Sequence, residues 1–147
     1  MSIRLLIEKS IRAIRFPFYR DIPIDKQIEL YKLLGKDLTK LFWRMRLEDR
    51  SHSLEVMNRM KSITDNEEYL ILALIHDIGK ASTDIGLFGR IFADLTLNRS
   101  LNAKRYKNHE TLGLEIIMKT IDDDTVYKNY KKNIIQKRHH YLERCDY

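Results

Sequence analysis

The chain is poor in residues that interrupt regular structure: its 147 positions hold five glycines and two prolines. It has a single cysteine, Cys145. One cysteine excludes an internal disulfide and fits a reducing compartment. Strand signals are nearly absent, and so little glycine and proline points to long, well-solvated helices. No apolar run is long enough to span a bilayer. The opening segment, Ser2 to Lys9, is broken by charge too early to form the apolar region of a secretory signal. These absences predict a soluble, cytoplasmic, all-α protein. There is also no internal repeat, no low-complexity tract and no linker rich in Gly, Ser and Pro. Residues 1–147 are therefore read as one domain, a length that supports a real core and is too short for two ordinary domains.

What is present is 44% hydrophobic residues, 33% charged residues and a formal charge of +6, from 27 Lys and Arg against 21 Asp and Glu. That excess suits an anionic partner, whether a phosphorylated small molecule, an RNA or a membrane surface, without choosing among them. The basic residues are distributed along the chain and no nucleic-acid-binding motif accompanies them, so specific nucleic-acid binding is not expected. Lys128, Lys131 and Lys132 read as the solvated face of a helix.

Apolar spacing lays out a string of helices. The first covers residues 3–14 and ends before Pro17, an amphipathic element packed on the domain. A second runs from the Pro23 region to about Leu34. A third carries Leu38, Leu41, Phe42 and Met45 at the spacing of a buried stripe. Asp49 can cap a further helix that places His52 and Val56 one turn apart on the inner face. Asp65 and Glu68 form a capping box for a central helix that is apolar at every position from Tyr69 to Ile75. This helix delivers His76 and Asp77 at its end, before Gly79 stops it. Leu87 to Leu95 reads as a helix with Arg90 on its polar side, followed by a basic loop over 98–105. His109 then shares a face with Leu112 and Ile116. A last helix runs from Val126 to about His140, with Ile135 and His139 one turn apart.

The chain's five histidines fall along this string at His52, His76, His109, His139 and His140. Imidazole nitrogen and carboxylate oxygen are the ligands that borderline divalent metals prefer, and His76-Asp77 supplies both from adjacent positions. Burying that pair at the tip of an apolar helix is costly unless a cation or hydrogen bonds compensate. The partial negative charge of a helix C-terminus also favours a cation there. Lys80, three residues on, lies close enough to neutralise a phosphate oxygen.

The string His76-Asp77-Ile78-Gly79-Lys80, together with the segments around His52 and His109 and the His139-His140 doublet, resembles the HD-domain superfamily of metal-dependent phosphohydrolases. The similarity is to its branch with motif order H, HD, H, HH, and it covers about residues 41–140, with residues 1–40 as helices packed on that core. The resemblance implies an all-α helical bundle with metal between its helices, and hydrolysis of phosphate esters by a metal-activated water. It implies that His52, His76 and Asp77 hold one metal, that Asp77 bridges to a second, and that His109, His139 and His140 complete a binuclear iron or manganese site, with a mononuclear site as the simpler form. Asp77 and Lys80 would be the catalytic residues, and Lys80 with Arg90 would bind the substrate phosphate. A phosphorylated small molecule, a nucleotide above all, is the implied substrate, and a homodimer is compatible with a small domain of this kind. The cyclic-dinucleotide branch carries Gly-Tyr-Pro after its doublet, whereas Tyr141-Leu142-Glu143 follows here, which disfavours that substrate class. One departure leaves three alternatives open. The family closes its metal site with a late aspartate, and the only acidic residues after His140 are Glu143 and Asp146. Either Asp146 substitutes, or water completes the coordination, or the site is degenerate and the chain is a module that binds metal or nucleotide and acts through protein partners.

Overall fold

The computed structural model describes residues 20–82 and 108–147. The expected helices over 3–14 and 87–95, the loop over 98–105 and Arg90 lie outside the described residues. Within them the protein is all-α, with no strand, and no helix is long and apolar enough to cross a membrane.

Helix α1 spans Ile24–Arg44 and buries Leu30, Leu34, Leu38, Leu41 and Phe42. The sequence divides this stretch into two helices. The break between them falls at Gly35, whose backbone is non-helical and whose φ of 69° lies in the left-handed region that glycine enters without steric cost. After Met45 turns the chain, α2 spans Leu47–Lys61. The joint is held by Arg50, whose guanidinium donates to the carbonyls of Met45 at 2.6 Å and Trp43 at 3.3 Å. Asp49 does not cap α2: it lies buried in the helix's first turn, with Arg46 in the capping position.

Helix α3 spans Glu67–Ile75 and buries Leu70, Leu72, Ala73, Leu74 and Ile75. Its cap is Asn66, one residue later than Asp65, and the Asn66 side chain accepts from the Glu68 backbone N–H at 2.9 Å. The chain passes through His76 into a tight 3-10 turn, Ile78–Ser82. Gly79 is not a left-handed helix stop, since Gly35 is the positive-φ residue among those described. Its missing Cβ instead lets this turn touch α4, which spans His109–Thr120. An added Cβ at Gly79 would overlap the His109 carbonyl oxygen and lie 2.6 Å from the Gly113 nitrogen.

Helix α5 spans Asp124–Tyr130 and is capped by Asp123. It continues into a wider π-helical turn, Lys131–Gln136, and the chain becomes extended at Lys137. Helix α6 then spans His140–Cys145. The single helix expected from Val126 to His140 is thus broken, because the π turn and the extended Lys137 reset the register before the doublet. Helix α3 lies against α2, α4 packs on the 3-10 turn, and α6 returns to α2. That return brings the residue after α6 beside His52.

Candidate metal centre

His52 comes from the middle of α2, His76 and Asp77 from the link between α3 and the 3-10 turn, and Asp146 from the residue that ends α6. His52 Nε2 and Asp146 Oδ1 are 2.7 Å apart. His76 Nε2 lies 3.7 Å from the same oxygen and 3.5 Å from Asp77 Oδ2. The two imidazoles meet edge to face, with ring centroids 5.6 Å apart. One ligand atom from each of His52, His76 and Asp146 lies within 4.8 Å of the others, a spacing able to surround a metal ion.

The orientation of His76 is fixed from behind. Its Nδ1 sits 2.7 Å from the carbonyl of Ala73, one turn back on α3, so Nδ1–H donates there and Nε2 is the nitrogen that faces the carboxylates. Tyr130 tightens the same point by donating its hydroxyl to the His76 carbonyl at 3.1 Å. Burial pushes that phenol above its ordinary pKa, so it stays a neutral donor. Among the described residues, His76 Nε2 is buried and has no hydrogen-bond partner. A buried imidazole nitrogen facing two carboxylates is satisfied by a proton or by a metal ion, and a divalent metal fits this donor set of nitrogen and oxygen.

The two carboxylates are prepared differently. Lys80 Nζ lies 2.5 Å from Asp77 Oδ2 and His109 Nε2 lies 3.2 Å from Asp77 Oδ1. Burial works to raise the Asp77 pKa, but Lys80, His76 and His109 together hold it well below the usual carboxylate range. Burial likewise opposes ionisation of Asp146, and His76 and His52 outweigh it, so its pKa also falls well below normal. For His76 the signs reverse. Burial disfavours the imidazolium, yet the facing Asp77 and Asp146 more than offset this and raise its pKa above 6.5. Without metal, that shift favours a proton on His76, beside the ammonium of Lys80.

The residues expected from sequence divide into three groups. His52, His76, Asp77 and His109 converge. Lys80 converges too, but at 8% exposure it is buried beside Asp77 rather than displayed at the surface. Among the described residues the doublet makes its contacts elsewhere, where the expectation has His139 and His140 completing a second metal. His139 caps α6, accepts from the Tyr141 backbone N–H at 3.3 Å, and stacks on Tyr69 with centroids 4.5 Å apart. His140 packs against His139 and Tyr141. The extended break at Lys137 is the physical reason, because it removes the helical register that would have aimed His139 along the face of Ile135.

Of the late acidic residues, Asp146 is the one placed at the cluster, in direct contact with His52. Sequence reasoning misses Arg138 and Glu110 altogether. Arg138 forms ion pairs with both Asp146 Oδ2 and Glu110 Oε1, the latter at 2.6 Å. The only hint is that Glu110 directly follows His109.

Comparison with known families adds one finding: the family model described as HD domain matches residues 50–144. No curated protein and no solved structure matches the chain.

Proposed function

The chain belongs to the HD-domain family, and on that premise we propose that it is a metal-dependent phosphohydrolase that holds one divalent cation between His52, His76, Asp77 and Asp146 and acts on a phosphorylated small molecule, with nucleotides as the substrate class. The observation that carries this reading is the buried His76 Nε2, held by its bond to Ala73 and facing two ionised carboxylates. A cation bound there would supply Lewis-acid polarisation of a phosphoryl oxygen and a bound water acidic enough to act near neutral pH.

The chain's own residues do the remaining work. Ala73 and Tyr130 fix the ring and backbone of His76. Lys80 and His109 keep Asp77 ionised and aligned. Asp146 turns one oxygen toward both histidines. Two imidazole ligands favour manganese or iron over magnesium, which prefers oxygen. A single ion fits better than two, because a second would need the His139-His140 doublet. The excess of basic residues suits an anionic substrate. Asp146 beside His52 supports this reading over that of a degenerate module, which a missing late aspartate would favour.

The test is phosphate release from nucleoside mono- and triphosphates and a chromogenic aryl phosphate, with manganese added. The expected result is turnover that falls on the order of 1,000-fold in His76→Ala, the rate equivalent of roughly 4 kcal/mol of lost transition-state stabilisation. Metal-loaded wild type that releases phosphate from none of them would sink the proposal.

The pH dependence of binding follows from the raised His76 pKa. A protonated His76 cannot ligate, so protons compete with the metal below that pKa, while Asp77 and Asp146 stay ionised. Manganese affinity should therefore weaken about tenfold per pH unit on the acid side, with about one proton released per ion bound. Calorimetric titration in buffers of different ionisation enthalpy reads both quantities. An affinity that stays flat from about pH 6 to about pH 8 would contradict this.

A further inference from the structure

Resting on the metal-centre reading above, we infer that Arg138 is the positioning residue for Asp146, with Glu110 as its anchor, and that together they limit Asp146 to one ligand oxygen. The guanidinium is engaged on two sides: one amino group pairs with Asp146 Oδ2 and the other lies 2.6 Å from Glu110 Oε1. That leaves Asp146 Oδ1 as the oxygen that faces His52 and His76.

The three residues come from separate elements. Glu110 is in the first turn of α4, Arg138 is in the extended link before α6, and Asp146 directly follows α6. A helix of six residues has little stability of its own and cannot by itself fix the side chain that follows it. A planar, permanently charged fork that bridges two carboxylates can. The Arg138 side chain is 28% exposed, so the pair with Asp146 is partly shielded from solvent. Glu110 also directly follows His109, which contacts Asp77. One pair of consecutive residues at the start of α4 therefore supports both carboxylates of the cluster, His109 directly and Glu110 through Arg138. With both amino groups in use, Arg138 is a support for the ligand rather than a receptor for substrate phosphate.

The experiment is calorimetric titration of metal-free protein with manganese, for wild type, Arg138→Gln, Arg138→Lys, Glu110→Gln and the Glu110→Gln, Arg138→Gln double variant, beside thermal melts in chelator. Arg138→Gln should weaken binding by roughly 10- to 100-fold, the usual cost of losing a partner that orients a metal ligand. Arg138→Lys should recover part of that loss, since an ammonium can hold Asp146 but not bridge to Glu110. Glu110→Gln should weaken binding less, and should add nothing once Arg138 is gone. That non-additivity is a readout a merely structural role would not produce. Wild-type affinity in Arg138→Gln, or additive losses in the double variant, would overturn the inference alone. Absence of metal binding by wild type would overturn it together with the reading it rests on. Should Arg138→Gln melt at working temperature, Glu110→Gln and Arg138→Lys decide the matter: unchanged affinity in both overturns the inference.

Discussion

Asp146→Ala should lower metal affinity by roughly 100-fold or more, above what loss of a supporting partner costs, and elemental analysis of the purified variant should find well under one equivalent where wild type holds close to one. In the proposed centre Asp146 would be the ligand supplied from the end of α6, with its Oδ1 2.7 Å from His52 Nε2 and 3.7 Å from His76 Nε2. Removing it leaves two buried imidazoles and one carboxylate, and Lys80 and His109 already engage that carboxylate on both oxygens. The variant also loses the hydrogen bond to His52 and the ion pair to Arg138. Metal-free protein should therefore be less stable by about 2 kcal/mol, the ordinary worth of a hydrogen bond to a charged group. Asp146→Asn separates the two effects. It keeps the size and one acceptor oxygen, so much of the metal-free stability should return while the affinity stays low. Near-stoichiometric metal in Asp146→Ala would mean that this carboxylate lies beside the centre without serving it.

Gly79→Ala should be the most damaging single methyl group in the described part of the chain. The Cβ would collide with the backbone of His109 and come within 2.6 Å of the Gly113 nitrogen, and backbone cannot swing aside as a side chain end can. The 3-10 turn and α4 would have to separate. Overpacking of this kind costs about 3 kcal/mol or more. For a chain of this size that corresponds to a melting temperature lower by roughly 6 to 12 °C. The displacement falls on His109, whose Nε2 lies 3.2 Å from Asp77 Oδ1, so the variant should also bind metal more weakly than its loss of stability alone would bring about. Gly113 is the neighbouring case: its Cβ would overlap the Tyr130 hydroxyl, and Tyr130 holds the carbonyl of His76. A thermal melt of Gly79→Ala within about 2 °C of wild type would show that the contact between the turn and α4 yields easily, contrary to this reading.

The part of the site that can be read from the sequence is the part whose chemistry is local. His76 and Asp77 are adjacent, their helix is apolar at every position from Tyr69 to Ile75, and no long-range fact is needed to see that such a pair wants a cation. His52 and His109 are legible as inward positions because helical periodicity places them beside Val56 and Leu112. Asp146 cannot be assigned that way, since its role depends on how a six-residue helix folds back to α2, and no local pattern encodes that return. The doublet misleads for the opposite reason. Its spacing from Ile135 fits a continuous helix, and the π turn over Lys131–Gln136 with the extended Lys137 is invisible to periodicity. Gly79 stands out in the sequence but for a different reason from the one its position suggests. A glycine after a helix usually ends it, whereas this one lets two backbones touch. Arg138 carries no signal, because an arginine beside two histidines looks like surface until its partners are known.

The ion pairs around the two aspartates also set the order in which ligands can arrive. Asp77, Asp146 and Glu110 bring three negative charges, while Lys80 and Arg138 bring two positive ones. With a proton on His76, which its raised pKa favours, these side chains together are neutral and offer a phosphate dianion no net attraction. A divalent ion taking the place of that proton would leave them one charge positive, and the same dianion would then be drawn in. On the proposed function, substrate capture would in this way be conditional on metal occupancy: the fixed charges of the protein would act as an electrostatic interlock, in which the metal turns the lock and the phosphate follows.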